Sequence, residues 1–268
     1  MIRSKCLCIL LLLSLLFLPA CGQSAQGTEI IILDVGKADA IIITDGETTA
    51  LIDTGENKDG KKILACLLEK NIHALDVMII THFDKDHVGG ADVVLEGIPV
   101  GAVYDAYYEP DTKQYRQYIE AIEATGTPRY RVTASMALPL SLGTLTLLPS
   151  FLSSTDDNDM SLVVSMTAAQ HTYLFAADAT TARMEGLLSD GIGQHDFIKM
   201  PHHGRYYSNL PALLDAVNPS IAAITDSDKN PASDQTLALL STRGIETLRT
   251  RDGDIRITDW DGKMYQNR

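Results

Sequence analysis

Cysteine is scarce and badly placed for metal or disulfide chemistry. Of four cysteines, Cys6, Cys8 and Cys21 fall in the first 21 residues, and Cys66 stands alone in the remainder. No thiolate cluster can hold zinc, so any metal must be held by histidines and carboxylates. Cations are also few: Lys plus Arg is 22 against 35 Asp plus Glu, a formal charge of −13. That bulk field argues against a polybasic nucleic-acid or membrane-surface binder, while leaving room for a locally basic groove. Lys61-Lys62 is the only basic run. Beyond residue 20 no apolar stretch is long enough to span a bilayer, so nothing there supplies a channel. No Pro/Ser-rich linker interrupts residues 29–260, which predicts one domain. What is present is globular: 268 residues, 45% apolar and 21% charged, enough to bury a large core.

Residues 1–20 read as an export signal. Arg3 and Lys5 precede the run Cys6–Leu18, apolar apart from Ser14 and short for a transmembrane helix. The segment Leu18-Pro19-Ala20-Cys21-Gly22 resembles the lipobox of bacterial lipoproteins. That resemblance implies cleavage before Cys21, a lipid on its thiol, and an extracytoplasmic protein anchored to the bacterial cell membrane. An ordinary signal peptide cut nearby, or an uncleaved anchor, is the other reading. Residues 21–28 read as a polar tether and residues 29–268 as the folded domain.

Strand and helix signals alternate along the domain. Glu29–Val35, Ala40–Thr44 and Thr48–Asp53 read as strands, with Asp45-Gly46 as a hairpin turn. A helix over Lys61–Lys70 and a buried strand over Val77–Thr81 follow, indicating α/β architecture. The second half repeats this loosely: a hairpin through Gln170 ending on Asp178, a helix over Thr181–Ser189, and a strand over Asp196–Met200. Helices over Leu210–Val217 and Asp234–Arg243 flank a strand over Ile221–Thr225. Two similar halves suggest two sheets face to face with helices outside. Between them, Tyr104, Tyr107, Tyr108, Tyr115 and Tyr118 hold half of the ten tyrosines. Helical spacing over Asp111–Thr125 favours packing of these rings over a stacking wall beside a site.

The chemistry concentrates in Thr81-His82-Phe83-Asp84-Lys85-Asp86-His87-Val88-Gly89-Gly90. Four potential ligands fall within six residues at a strand end. Alternation sends His82 and Asp84 to one side, and a tight turn presents Asp86 and His87 together. Such a cluster can hold one or two divalent ions, and Gly89-Gly90 is expected to let the backbone turn sharply. His73, His171 and His195 are isolated and read as surface residues.

This segment resembles the His-x-His-x-Asp-His motif of the metallo-β-lactamase superfamily, with Asp84 at the second histidine. The same replacement occurs in the branch containing the hydrolase-like domain of ComEC, the DNA-uptake channel protein. Leu33-Asp34-Val35-Gly36-Lys37-Ala38-Asp39-Ala40, Leu51-Ile52-Asp53-Thr54-Gly55 and Pro201-His202-His203-Gly204 resemble that branch too. The resemblance implies a four-layer αββα sandwich and two divalent metal ions, zinc or manganese. It implies His82 and Asp84 in a first site, Asp86, His87 and His203 in a second, and Asp178 bridging both. Asp53 would support the metal loop by hydrogen bonding, and His202 would line the pocket. The first site lacks a further histidine, because the corresponding segment reads Asp157-Asn158-Asp159-Met160; Asn158, Asp159 or water is left to complete it. A carboxylate at Asp84 shifts preference from zinc toward manganese or iron. Lys37-Ala38 replaces the branch's Gln-Gly, and Lys229-Asn230-Pro231 replaces a late His-Pro, leaving Asp226, Ser227 or Lys229 as substitutes.

The function expected is metal-dependent hydrolysis of phosphodiesters, by a hydroxide held between the ions near Asp86. Asp86 and His202 are the catalytic candidates, with Lys199, Tyr206 and Tyr207 as possible positioning groups, although Lys199 reads more simply as pairing with a carboxylate. Single-stranded DNA and surface phosphodiesters such as phosphorylcholine esters are the candidate substrates. The competing reading is a non-catalytic surface lipoprotein that keeps the fold and binds a ligand or a DNA-uptake partner. The sequence itself identifies no protein partner.

Overall fold

The structure, a computed structural model, describes residues 27–152, 154, 156–260 and 263–267. The export signal, Cys21 and the tether through residue 26 lie outside the described residues. The first half runs β1 (Thr28–Ile32), β2 (Ile41–Asp45), β3 (Thr48–Ile52), α1 (Gly60–Glu69), β4 (Leu75–Ile80), α2 (Lys85–Val88), α3 (Ala91–Gly97), β5 (Val100–Ala106), α4 (Lys113–Thr125) and β6 (Arg129–Val132). The second runs β7 (Met136–Pro139), β8 (Gly143–Leu148), β9 (Val163–Ala168), β10 (His171–Phe175), α5 (Thr181–Ser189), β11 (Phe197–Lys199), α6 (Leu210–Val217), β12 (Ile221–Ile224), α7 (Asp234–Thr242) and β13 (Glu246–Arg249). Strands β14 (Ile255–Trp260) and β15 (Lys263–Asn267) return to the first half. Thr28, expected in the tether, is buried and begins β1.

Two sheets result, ordered β15-β14-β1-β2-β3-β4-β5-β6 and β13-β12-β11-β10-β9-β8-β7. Ile30, Ile31 and Ile32 are all buried, as are Ile41, Ile42 and Ile43, so these strands are covered on both faces. One cluster joins the inner faces of both sheets to the apolar sides of α1, α3 and α4, through Ile63, Leu67, Val94 and Tyr118. A second lies between the other sheet and α5, α6 and α7, through Met184, Leu187, Leu213 and Leu240. The layers are helix, sheet, sheet, helix: the αββα sandwich. Truncating a core anchor such as Leu67 to Ala would cost about 2–5 kcal/mol.

Helix α4 starts where the Thr112 hydroxyl accepts the Tyr115 N–H at 3.2 Å, and it stops at Gly126, whose φ is +67°. Its tyrosines pack: Tyr115 and Tyr118 are buried, and Tyr118 donates to Asp105 at 2.7 Å. Tyr107 is exposed under the Arg131 guanidinium. One expectation fails at His195, which is buried rather than on the surface. Its Nδ1 lies 2.9 Å from the Gly193 carbonyl, and its Nε2 lies 2.8 Å from Ser165 Oγ. Both ring nitrogens therefore have partners, which makes burial affordable for a neutral imidazole. His171 is half-buried, 3.1 Å from Asp259, and His73 is exposed.

Candidate metal centre

Strands β3 and β4 are parallel, as are β10, β11 and β12. Their carboxyl ends meet at one edge of the sandwich, where α/β folds gather ligand groups. The Leu162 N–H donates to the Thr81 carbonyl at 2.8 Å and ties the two sheets together there. The turns at this edge are strained: Asp53 (φ +58°), Ala177 (+48°), His202 (+44°) and His203 (+55°) are left-handed without being glycine. Each costs roughly 1–2 kcal/mol, and the surrounding bonds hold them. The His202 N–H, for example, donates to the Ala177 carbonyl at 3.0 Å. Gly89 and Gly90 have ordinary negative φ, so they do not serve a sharp turn as expected. They permit close approach instead, since a Cβ on Gly90 would lie 2.4 Å from the Thr54 carbonyl oxygen.

The metal loop leaves β4 with His82 buried, passes Phe83, and closes as the single turn α2 carrying Asp86 and His87. Three histidines then face one another and Asp178. His87 Nε2 lies 3.3 Å from Asp178 Oδ1, and His203 Nε2 lies 3.1 Å from Asp178 Oδ2 and 3.7 Å from Asp86 Oδ2. His82, His87 and Asp178 form one group close enough to hold an ion; Asp86, His87 and His203 form another.

Each of the three rings is aimed by its back nitrogen. Thr81 Oγ1 donates to Asp53 at 2.7 Å, so at 3.1 Å it accepts from His82 Nδ1. His87 Nδ1 donates to Asp53 Oδ2 at 2.7 Å. Thr225 Oγ1 donates to Asp39 at 2.7 Å and accepts from His203 Nδ1 at 3.0 Å. All three rings thus turn Nε2 inward, the tautomer a metal needs. Those three Nε2 atoms are buried without hydrogen-bond partners, as are Asp178 Oδ1 and Asp86 Oδ2. Asp86 Oδ2 has the Lys37 ammonium 2.7 Å away, outside hydrogen-bond geometry. Buried polar atoms without hydrogen-bond partners are costly, and five lone-pair atoms converging at one place fit divalent metal ligation.

The charges are arranged to match. Burial pushes His82 well below the ordinary imidazole value, and His87 adds to it. Burial opposes charge on His87 and His203 too, but Asp178 and other carboxylates outweigh it and raise both. Burial alone would raise Asp178, yet His203 and His87 draw it well below the carboxylate range. Behind the cluster, the fully buried Lys199 pairs with Asp39 and donates to the Ala177 carbonyl at 3.2 Å.

Asp84 sits at the rim, its side chain 44% exposed and 3.8 Å from His82 Nε2. Among the described residues it joins none of the tight groups. In the segment 157–160, Asp159 is occupied by Ser154 at 2.9 Å and by Thr180. Asn158 Oδ1 is buried and unpartnered. Asp226 is no substitute for the missing histidine: it is buried against Arg249 and accepts the Ala232 N–H at 2.9 Å. His202 is half-buried, with Nδ1 on the Tyr207 hydroxyl at 2.7 Å and Nε2 3.8 Å from Asp178. Tyr206 packs as a half-buried wall. Tyr108 braces the loop by accepting the Phe83 N–H at 2.9 Å. Asp39 and Lys37 are the residues the sequence reading passed over, though both stand in its opening motif.

Comparison with known proteins agrees with this geometry. The family described as the Metallo-beta-lactamase superfamily matches residues 33–224. Recombination protein 2 of Haemophilus influenzae is 27% identical over 204 residues, covering 74% of this chain and 24% of that protein. ComE operon protein 3 of Bacillus subtilis is 26% identical over 284 residues, covering 95% of this chain and 35% of that protein. The chain thus spans about a quarter to a third of these relatives. The metallo-beta-lactamase fold protein YhfI from Bacillus subtilis superposes with a TM-score of 0.60 at 11% identity, covering 90% of this chain and 100% of that one.

Proposed function

We propose that this chain, which belongs to the metallo-beta-lactamase superfamily, is a metal-dependent phosphodiesterase held at the outer face of a bacterial membrane by a lipid on Cys21. The observation that carries the reading is the set of five buried, unpartnered donor atoms on His82, His87, His203, Asp86 and Asp178. Similarity to a relative named for recombination favours nucleic acid, single-stranded DNA included, as the diester.

His82, Asp84 and Asp178 would hold one ion, with Asn158 the better placed of the remaining ligands in its segment. Asp86, His87, His203 and Asp178 would hold the other. Bound divalent ions, manganese or zinc, supply an ionised water at neutral pH and neutralise charge on phosphoryl oxygens. The chain's own groups do the rest. Asp53 and Thr225 hold the His87 and His203 rings with Nε2 inward. Asp86 would ligate through Oδ2, the oxygen facing Lys37 and His203, and its other oxygen would orient the attacking water. Burial holds His202 below the ordinary imidazole value; with Nδ1 accepting from the Tyr207 hydroxyl, its Nε2–H at the cavity mouth would donate a hydrogen bond to the departing oxygen.

The test is turnover of bis(p-nitrophenyl) phosphate and labelled single-stranded DNA by full-length protein in detergent, loaded with manganese or zinc. Cleavage lost in Asp86→Ala supports the reading. Folded protein that binds metal and cleaves neither substrate favours the second reading, a binding lipoprotein, which the missing histidine at 157–160 motivates.

A further inference from the structure

A cavity of about 240 Å³ opens directly onto the donor cluster. It is far larger than the roughly 10–15 Å³ that admits one water. Lys37, His202, His203, Arg205, Asn230 and Ser233 line it, and no carboxylate does, in a chain with 35 of them. His203 belongs to both the cavity and the cluster, so the two adjoin. Lys37 reaches in from the turn after β1, beside Asp86. Arg205 leaves the left-handed histidine turn, its N–H donating to the His202 carbonyl at 2.9 Å. Its guanidinium sits 5.9 Å from the ring centroid of Tyr207, the tyrosine that fixes His202. Among the described residues Arg205 pairs with no carboxylate, whereas the exposed Arg116, Arg243 and Arg251 and the half-buried Arg131 each do.

We propose that Lys37 and Arg205 form an anion subsite beside the metal centre, which takes the phosphate next to the one being cleaved. This deepens the phosphodiesterase reading and rests on it. The arginine fork suits two phosphate oxygens, and the lysine supplies a point charge close to the reacting group. A polynucleotide brings a second phosphate to that position. A choline phosphodiester brings a cation, which Lys37 and Arg205 repel. The substrate class is therefore a polyanionic strand and not a zwitterionic headgroup.

The test is equilibrium binding of labelled hexathymidylate to full-length protein in detergent, with and without manganese, across a salt series. An analogue with alternate uncharged methylphosphonate linkages is run beside it. Wild type should prefer the fully charged strand by about tenfold, the scale of one charge-assisted contact. Arg205→Gln and Lys37→Gln should each erase most of that preference and flatten the slope of log K against log salt by about 0.7, one phosphate contact on a single strand. A merely structural role would not change the slope. Wild type that binds both strands alike, or slopes that both variants leave unchanged, overturns the subsite. Turnover of bis(p-nitrophenyl) phosphate, which has no second phosphate, reports the hydrolase reading separately. Altered slopes without turnover keep the subsite and remove the hydrolase; turnover with unaltered slopes does the reverse.

Discussion

His87 Nδ1 and Asp53 Oδ2 lie 2.7 Å apart, both fully buried, and Asp53 Oδ1 accepts the Thr81 N–H at 2.8 Å. One carboxylate thus orients two consecutive pieces of the metal loop from a left-handed turn. Asp53→Ala should weaken manganese or zinc binding about 10–100-fold by titration calorimetry, the usual effect of losing such a partner. Asp53→Asn, which tolerates the same φ, should fold better than Ala while still losing affinity. Unchanged affinity in both would remove Asp53 from the metal centre.

Lys199 is a fully buried cation, and Asp39 is its nearest carboxylate. Lys199→Met leaves Asp39 charged and unpaired inside the protein. Chemical denaturation should show a loss of about 3–5 kcal/mol. The double variant with Asp39→Asn should recover part of it, and failure to recover would mean that the lysine stem, not its charge, matters.

His202 touches Asp178 only at 3.8 Å and is anchored by Tyr207. His202→Ala should lower kcat for the diester about 10²-fold or more while leaving metal stoichiometry intact. Tyr207→Phe should have a smaller effect in the same direction. Loss of bound metal in His202→Ala would make it a ligand instead.

Burial lowers the pKa of His195 below its ordinary value, against the opposing pull of the Gly193 carbonyl and Asp196. The unfolded chain therefore binds this proton more readily than the folded one. Stability present above the ordinary histidine pKa of about 6.5 should be lost as pH falls through it. In thermal melts between pH 7.5 and 5, His195→Gln should show a shallower decline than wild type. Parallel curves would show that the buried ring does not carry this dependence.

The five unpartnered lone-pair atoms predict that metal stabilises the fold. An ion at 100 times its Kd should add about 2.7 kcal/mol, seen as a rise in Tm that chelator reverses. Asp178→Asn, isosteric but uncharged, should abolish most of the rise. An equal rise in that variant would place the ion elsewhere.

His82, Asp86, His87, Asp178 and His203 were legible because short motifs at strand ends concentrate residues of one chemistry. Helices α5 and α6 were legible as well, and their observed ranges match those expected. Strands β5, β6, β7 and β8 were not read, because short strands flanked by helix or turn signals depend on neighbouring strands for their hydrogen bonds. His195 was misread because an isolated histidine carries no mark of burial; its partner Ser165 lies 30 residues away in sequence and 2.8 Å away in space. Asp84 was correctly sent to the side of His82, yet alternation could not show that its side chain stays at the rim.

The amino-acid sequence by itself indicated α/β architecture, because periodicity is local, and the resemblance of its short strand-end motifs to a known family pointed to the candidate metal-binding groups. Net charge was legible as well, and it argued against a nucleic-acid surface. Only the tertiary structure decided where the few cations go. Lys37 and Arg205 stand 168 positions apart in the chain, and they line one cavity because the turns after β1 and β11, in two different sheets, open at the same edge of the sandwich. Coulomb's law acts on distance in space, so a basic site can form in an acidic chain wherever the fold gathers cations and keeps carboxylates away.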